Sequence, residues 1–368
     1  MTVVAEMHEA HGATFFERGD RRFVRDYGRP ERTHRAVRNG VGVVEMGYGV
    51  VVVEGDDRVE FVDDTVSNQV PDADGAGVYA LLLTPQGRIE TDLYVYNAGE
   101  RLLCFTPPDR AEPLAEEWAG NVFIRDVAVR AASTEFAVFG VHGPNSTEKV
   151  ASVLNGAGSP EPELTFVRGS MGGEGVTVVA GDGLTGEEGY EVVCTADAAH
   201  RVFETLLSFG MNAVPFGYRT WRTLTTEAGT PLFHTELDGR IPNVVGLRNA
   251  LDFAKGCYVG QEVVSKVENR GQPSQRLVGL QLGPEGTDPL PDPGTPVTTG
   301  GDSIGEVTRA VESPSLEAPI ALALVDFDAG SASVSIDGDD GAVDATRTPL
   351  PFVDGGAVSE RRPTYPEP

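Results

Sequence analysis

Residues 255–262 read Lys-Gly-Cys-Tyr-Val-Gly-Gln-Glu and form the most distinctive segment of this 368-residue sequence. Two glycines bracket Cys257, and valines at positions 263, 264 and 267 follow with helical spacing. The pattern predicts that Cys257 lies just before a helix N-terminus, with the Lys255 ammonium nearby. Both features favour a thiolate, which is the reactive form as nucleophile, redox centre or soft-metal ligand. The alternative is a small buried cysteine without chemistry.

A second informative segment, residues 184–192, reads Leu-Thr-Gly-Glu-Glu-Gly-Tyr-Glu-Val and leads into a predicted strand. Side chains alternate along a strand, so Glu191 and Val193 share one face and Tyr190 and Val192 the other. A carboxylate beside Val193 can line a cavity and accept hydrogen bonds from a ligand ring. An exposed strand position is the alternative.

Glu227 stands at the predicted C-terminal end of a helix, just before Ala228 and Gly229. A negative charge there opposes the helix dipole, which marks Glu227 as a candidate site residue or, alternatively, as a solvated glutamate. Residues 181–186 satisfy a glycine-rich dinucleotide pattern, but two glutamates and another strand follow where a helix is required. That segment is therefore predicted to be a hairpin turn.

The order of predicted elements indicates mixed α and β structure followed by a small barrel. Short strands and helices alternate up to about position 272, and residues 283–303, rich in Pro, Gly and Asp, have the composition of a long loop. Residues 1–31 are predicted to be a loose arm and the last dozen residues a frayed tail. The predicted barrel strands lie at 276–282, 305–311, 320–325, 332–336 and 341–345.

Composition restricts the possible partners. The net charge of −27, from 56 acids and 29 bases, disfavours nucleic acid and anionic membranes as partners. The same excess predicts a folded protein of a high-salt cytoplasm, with an ordinary acidic protein as the alternative. The sequence contains no signal core or membrane span, and three scattered cysteines and isolated histidines predict neither a disulfide framework nor a metal site.

Several segments resemble known families. Residues 255–262 match at every position the K-G-C-[FY]-x-G-Q-E motif of the YgfZ family. Residues 184–192, 227–229 (Glu-Ala-Gly), 305–308 and 313–316 are similar to segments of the larger glycine-cleavage T-protein (aminomethyltransferase) superfamily. The likeness extends from about position 32 to 352.

The resemblance implies an α+β fold of three domains in a ring around a central folate cavity. Two mixed domains and a C-terminal antiparallel β-barrel are expected. We place the arm at 1–31, the folate-binding core at 32–272 with a ferredoxin-like unit at about 50–120, the barrel at 273–356 and the tail at 357–368.

The implied function is a tetrahydrofolate-binding, YgfZ-like factor that supports assembly or repair of iron–sulfur proteins. Its expected partners are a reduced folate and iron–sulfur client or assembly proteins. Cys257, with Lys255 beside it, takes the catalytic role, and Glu191 takes the pterin-binding role. The expected folate-binding residues around Glu191 are Tyr79, Asp92, Tyr190, Glu227 and Arg222.

Two departures from the T-protein pattern disfavour the alternative function, a folate-dependent aminomethyltransferase. Thr91 stands where T-proteins carry the first, catalytic aspartate of an Asp-Asp pair, and Asp92 retains the second. Trp221, with Arg222 adjacent, stands where they carry an arginine. A further alternative is a pure binding protein.

Lys255 and Lys266, two of only three lysines, bracket the cysteine motif, which predicts that cations gather where ligand and partner arrive.

Overall fold

The computed structural model describes residues 2–19, 21–283, 289–338 and 341–365. Its helices are α1 (Ala5–Ala10), α2 (Pro30–Arg38), α3 (Arg58–Asp63), α4 (Ala111–Gly120), α5 (Ser146–Val153), α6 (Ala199–Ser208), α7 (Tyr218–Glu227) and α8 (Gln261–Arg270). A 3₁₀ turn at Ala196–Ala198 and a π-helical turn at Phe233–Leu237 supplement them. Within these described ranges, no helix combines the length and apolarity needed to cross a membrane.

The strands form a hairpin, two open sheets and a barrel. They are β1 (Thr14–Arg18), β2 (Arg21–Asp26), β3 (Gly42–Met46), β4 (Gly49–Glu54), β5 (Ala76–Leu83), β6 (Ile89–Asn97), β7 (Arg101–Thr106), β8 (Ala128–Ala131), β9 (Phe136–His142), β10 (Phe166–Met171), β11 (Glu174–Ala180), β12 (Gly189–Thr195), β13 (Val214–Pro215), β14 (Gln275–Leu282), β15 (Pro296–Thr299), β16 (Asp302–Ser313), β17 (Ala318–Asp326), β18 (Ser333–Gly338) and β19 (Gly341–Thr348).

The five-stranded sheet, in the order β5-β6-β7-β4-β8, is buried on both faces. Its strand β4 contains four consecutive valines because each face of the strand packs against apolar side chains. Val51 and Val53 pack with Phe61 of α3 and Trp118 of α4, whereas Val50 and Val52 belong to the central core of the molecule.

The six-stranded sheet, in the order β10-β11-β12-β9-β3-β13, is also covered on both faces. Val43 of β3 packs outward with residues of α5 and α6, while Val44 faces the central core. Barrel residues such as Leu322 join the same core. The two sheets and the barrel therefore meet at one central cluster, and the site described below lies there.

The C-terminal barrel is closed, in the order β14-β17-β16-β15-β18-β19, and this confirms the predicted fold class of mixed domains followed by an antiparallel barrel. The prediction of an uninterrupted loop over 283–303 is wrong, because β15 lies inside it and pairs with β16 and β18. Residues 284–288 of that segment lie outside the described residues. The four-residue strand β15 is specified by its partners in the barrel rather than by its Pro-rich surroundings.

Both chain ends are more ordered than the sequence predicts. In the N-terminal segment His8 is buried, with Nδ1 2.7 Å from the Tyr27 hydroxyl and Nε2 2.7 Å from Glu45 Oε2. Near the other end, the Ala357 amide donates to the Gly186 carbonyl and the Glu360 amide to the Asp182 carbonyl. Residues 357–365 form a strap over the central core instead of a frayed tail, and Pro366 and Pro368 lie outside the described residues.

Candidate functional site

A cavity of about 450 Å³ lies where the two sheets, the β1–β2 hairpin and α7 meet. Its wall is rich in aromatic rings and arginines. The aromatic lining residues are Phe16, Phe23, Tyr48, Tyr94, Phe105, Tyr218, Trp221 and Phe233. The arginines are Arg18, Arg25, Arg219, Arg222, Arg309 and Arg361, and the one carboxylate among the described lining residues is Asp92.

A buried network of charges and hydroxyl groups forms the inner wall. The Tyr79 hydroxyl (2.8 Å) and Arg361 Nη1 (3.0 Å) both donate to Asp92 Oδ2. On the other side, the Tyr94 hydroxyl donates to Asp182 Oδ2 (2.8 Å), which lies 3.5 Å from Arg361 Nε. The Arg361 guanidinium also lies over the Tyr79 ring, 3.8 Å from its centroid. We call Asp92, Asp182, Arg361 and the nearby Glu191 the cavity cluster.

Strand alternation decides which residue of the Thr91–Asp92 pair reaches the cavity. Asp92 lines the cavity and shares a face of β6 with Tyr94. Thr91 shares the opposite face with Leu93, whose side chain packs in the apolar cluster that the five-stranded sheet forms with α3 and α4. The Asp92 carboxylate therefore lies on the cavity wall, and the Thr91 side chain lies on the opposite face of the strand. Tyr79 lies behind Asp92, and burial raises its pKa well above 10, so its hydroxyl remains a donor.

Glu191 is buried and incompletely paired. Its Oε1 accepts a 3.4 Å hydrogen bond from the Tyr48 hydroxyl, and its Oε2 has no partner among the described residues. Burial, followed by the charge of Asp182, raises the pKa of Glu191 to about 8. It lines a small cavity beside the main one, together with His142, whose pKa burial lowers to about 3. Near neutral pH this pocket therefore presents a protonated carboxyl group and a neutral imidazole.

The predicted alternation of β12 is confirmed, and it corrects the role given to Tyr190. Tyr190 and Val192 pack in the apolar cluster that the six-stranded sheet forms with α5 and α6. Val193 packs in the central core, on the same face of the strand as Glu191. The Tyr190 hydroxyl lies 2.9 Å from Thr147 Oγ1 instead of in the cavity. The folate-binding role predicted for Tyr190 is therefore wrong, because neighbouring strand residues point to opposite faces.

Glu227 is fully buried but lies outside the cavity. Its Oε2 accepts from His34 Nε2 (2.9 Å) and Arg38 Nη2 (2.8 Å), and its Oε1 accepts from Ser313 Oγ (2.6 Å). Burial opposes ionisation, but His34, Arg38 and Ser313 outweigh it and lower the pKa of Glu227 to about 2. These four residues, the junction cluster, tie α2, α7 and the barrel together. The predicted folate contact and the solvated alternative are both wrong.

Lys255 pairs with Asp63 instead of with the Cys257 thiol. Lys255 Nζ donates to Asp63 Oδ1 (2.9 Å) and to the Asn68 carbonyl (2.9 Å), and its side chain is buried. Helix α8 begins only at Gln261, after Gly260 in a left-handed conformation (φ 81°), and Cys257 is exposed in the preceding loop. Cys257 lines neither the main cavity nor the small cavity beside it. The predicted pairing of this thiol with a lysine and a helix terminus is wrong.

Two site residues were missed by sequence reasoning. Asp182 lies in the glycine-rich loop between β11 and β12, and Arg361 lies in the C-terminal strap. The composition of residues 181–186 predicted a hairpin turn without marking Asp182, its one acidic residue, as a site residue. No local pattern marks Arg361. Arg222, which was predicted, does line the cavity, next to Trp221.

Within the described ranges, no group of three or more His, Cys, Asp or Glu side chains is arranged to hold a metal ion. The site instead combines an aromatic cavity, a carboxyl group with a free oxygen and a surplus of arginines. Such a site suits a planar ligand with hydrogen-bond donors at one end and negative charge at the other.

Comparison with known families identifies the class of protein. Residues 4–255 match the GCVT N-terminal domain, and residues 275–354 match the glycine cleavage T-protein C-terminal barrel domain. This chain belongs to the glycine-cleavage T-protein family. The superfamily predicted from the sequence is thereby confirmed, whereas membership of its YgfZ branch stays a prediction.

Individual relatives agree with this assignment. The aminomethyltransferase of Cutibacterium acnes is 31% identical over 95% of this chain and 97% of its own length. That of Bacillus subtilis is 26% identical over 91% and 93%. The crystal structure of glycine cleavage system aminomethyltransferase T from Bartonella henselae has the same fold, with a TM-score of 0.84 at 22% identity over 97% of this chain and 99% of that one. These names favour the aminomethyltransferase alternative over iron–sulfur maintenance.

Proposed function

We propose that this protein binds a reduced folate, tetrahydrofolate or a one-carbon derivative, in the central cavity and acts as a folate-dependent one-carbon transferase of the aminomethyltransferase type. The observation that carries the proposal is the free Oε2 of buried Glu191 beside an aromatic cavity. A buried carboxyl oxygen without a partner costs free energy, and the N–H groups of a pterin ring satisfy it. Aromatic walls such as Tyr48 and Phe105 suit the flat rings of the ligand.

Asp92 supports the transfer chemistry. It is the one carboxylate among the described residues that line the main cavity, and Tyr79 and Arg361 fix its orientation. In this proposal Asp92 holds or accepts the proton at the folate nitrogen that takes up the one-carbon unit. Arg361 is a positioning residue, because it contacts Asp92 and Asp182 rather than the reacting atoms.

Calorimetric titration with tetrahydrofolate tests the binding step. We expect saturable binding by the wild type and an affinity at least about tenfold weaker in Glu191→Ala, because a buried hydrogen bond to the ring is lost. Glu188→Gln, which changes an exposed acid immediately before strand β12, is the matched control and should bind as the wild type does. Absence of binding by the wild type, or equal affinity in Glu191→Ala, would contradict the proposal.

Turnover tests the chemical step. With an aminomethyl donor, the wild type should transfer the one-carbon unit to N5 and N10 of tetrahydrofolate, which forms 5,10-methylenetetrahydrofolate and releases the amino nitrogen as ammonia. Asp92→Asn should slow this reaction by about 100-fold or more. Calorimetry on the same variant separates a loss of chemistry from a loss of binding. A protein that binds folate but never forms the methylene product is a binding protein instead.

A second candidate function rests on the exposed thiol. We infer from the match of residues 255–262 to the YgfZ motif, and from the accessibility of Cys257 beside exposed Phe253 and Val259, a role in maintaining iron–sulfur proteins. Lys255 holds the loop through Asp63, so the cysteine is presented to partners and not to the cavity. In a deletion strain, Cys257→Ser should fail to restore iron–sulfur enzyme activity while folate binding is retained. Full restoration would exclude this role.

We also propose a cytoplasmic location at high salt. The support is the excess of 56 acids over 29 bases in a chain that nevertheless folds around extensive buried apolar clusters. Unfolding midpoints measured from about 0.2 to about 3 M KCl should rise with salt, because salt screens the repulsion between carboxylates.

A further inference from the structure

One-carbon transfer to tetrahydrofolate moves two protons. The carbon forms bonds with the lone pairs of N5 and N10, and each nitrogen loses its proton. The bond from the carbon to the donor's amino nitrogen breaks, and that nitrogen takes the electron pair and one proton and leaves as ammonia. The bond to the sulfur, nitrogen or oxygen atom that carried the aminomethyl group also breaks, and this heteroatom takes the second proton. Asp92, the one carboxylate among the described lining residues, holds one proton at a time, so a second proton carrier fits this balance.

His234 provides the one imidazole among the described residues that line the cavity. It lies in the π-helical turn Phe233–Leu237, and such turns are frequent at functional sites. The chain just after this turn pairs with the start of β6, where the Ile89 amide donates to the Arg240 carbonyl (2.8 Å). Since β6 also contains Asp92, the imidazole and this carboxylate line the cavity from neighbouring elements.

A buried glutamate fixes the π-helical turn. Glu236 Oε2 accepts from the Leu232 amide (2.8 Å) and from Thr235 Oγ1 (2.5 Å), and it lies 3.4 Å from Arg309 Nη2. Glu236 and Arg309 are both fully buried. A buried network with several hydrogen bonds is rigid, so the turn presents the His234 side chain to the cavity in a defined position.

The charges around His234 suit a group that takes up a proton and gives it away again. Asp109 Oδ1 lies 3.1 Å from His234 Nε2, and a carboxylate at this distance stabilises an imidazolium. Burial lowers the pKa of His234 below its ordinary 6.5. The charges of Arg18 and Arg110 act in the same direction, and those of Asp109 and Asp92 act against it. Near neutral pH the imidazole is therefore uncharged and able to accept a proton.

We propose that His234 is a second catalytic residue of the one-carbon transfer. Its imidazole takes the proton that leaves one folate nitrogen and passes it to the departing heteroatom of the donor. Asp92 carries the proton of the other nitrogen, which leaves with ammonia, so both residues return to their starting state. Asp109 is a positioning residue that stabilises the imidazolium between the two transfers. This inference rests on the proposed function, since both protons come from a folate that accepts a one-carbon unit.

Single-turnover rates of methylene formation, measured with saturating tetrahydrofolate from about pH 5 to about pH 7, test the inference. We expect the wild-type rate to rise with pH and to level off by about pH 6.5, because only the uncharged imidazole accepts a proton. Glu191, with a pKa of about 8, changes charge above this range. His234→Gln should lower the plateau rate at least about 10-fold and abolish the rise. Asp109→Asn keeps the imidazole but removes the charge that raises its pKa, so the rise should move to lower pH.

The matched control is His200→Gln, which changes an exposed histidine of α6 that does not line the cavity. Its rates should follow those of the wild type at every pH. Calorimetry with tetrahydrofolate should give each variant the wild-type affinity, and thermal unfolding checks that each variant is folded.

The possible failures of the two proposals are distinguishable. If the wild type forms no methylene product, the proposed function fails and the role of His234 fails with it. If the wild type forms the product and His234→Gln keeps both the rate and its pH dependence, the role of His234 is overturned and the proposed function stands. An unchanged pH dependence in Asp109→Asn, or an equal loss in His200→Gln, overturns that role as well, and the Asp109→Asn result decides if His234→Gln does not fold.

Discussion

The junction cluster and the cavity cluster are both buried groups of charges, yet they differ in how completely they are paired. Both oxygens of Glu227 accept hydrogen bonds, and its pKa falls to about 2. In the cavity cluster one oxygen of Glu191 has no partner among the residues that the structure describes, and the pKa of Glu191 rises to about 8. The two glutamates begin from the same chemistry and are driven in opposite directions by their neighbours. A saturated cluster fixes domains in place, whereas an unsaturated one beside a cavity retains hydrogen-bonding capacity for a ligand.

The largest effect is expected from breaking the junction cluster. Glu227→Gln leaves the buried guanidinium of Arg38 without its main counter-charge and should lower the free energy of unfolding by about 3–5 kcal/mol. Glu204→Gln, which breaks an exposed pair with Arg201, is the control and should cost less than about 1 kcal/mol. Denaturant titrations near pH 7 measure both. Similar small losses in the two variants would mean that the junction cluster does not hold the domains together.

The pH dependence of this cluster follows from the lowered pKa. The folded pKa of Glu227, about 2, lies below its ordinary value of 4.5, so the cluster contributes fully above pH 4.5 and loses its contribution as the pH falls toward 2. The stability difference between wild type and Glu227→Gln should therefore narrow on acidification. If the difference in unfolding free energy between the two proteins stayed constant as the pH falls from 4.5 toward 2, the lowered pKa of Glu227 would be contradicted.

At Glu191 we expect a pH dependence of stability opposite to that at Glu227, with stability lost as the pH rises. Its folded pKa, about 8, lies above the ordinary 4.5, so the folded state holds a proton that the unfolded chain has released. Wild-type stability should then fall relative to Glu191→Gln as the pH rises from about 4.5 to 8, by on the order of 3 kcal/mol. Unfolding free energies of both proteins across that range measure the difference. Parallel curves would show that Glu191 is not a protonated buried acid.

The smallest effect is expected outside both clusters. Cys257→Ser changes an exposed side chain and should alter the free energy of unfolding by less than about 0.5 kcal/mol. The matched comparison is Cys104→Ser, which buries a hydroxyl group in an apolar sheet and should cost about 1–3 kcal/mol. If Cys257→Ser were as destabilising as Cys104→Ser, the thiol would be part of the core and not a free surface group.

Periodicity allowed part of the site to be predicted. The alternation of β12 separated Glu191 from Tyr190, although Tyr190 was still assigned to the folate. The same rule, applied to β6, places Asp92 on one face of the strand with Tyr94 and Thr91 on the other. In both strands the sequence was enough to predict which face each residue occupies, because successive residues of a strand point to opposite faces of the sheet.

Other parts of the site had no local signal. The two lysines near the cysteine motif suggested where cations gather, but the structure buries Lys255 against Asp63 and places arginines at the cavity. Arg361 meets Asp92 across a separation of 269 residues. Such a pair depends on how the strap crosses the core, which no window of sequence encodes.

The sequence by itself determined the alternation of faces, the mixed domains followed by a barrel, the family and the excess of acid. These properties depend on local spacing, composition and motifs, which the chain carries before it folds. The tertiary structure alone decided which charges meet. It paired both oxygens of Glu227, left Glu191 Oε2 without a partner among the described residues and gathered six arginines around one cavity. The reason is that the pKa and binding capacity of a charged group are set by its neighbours in space and by burial.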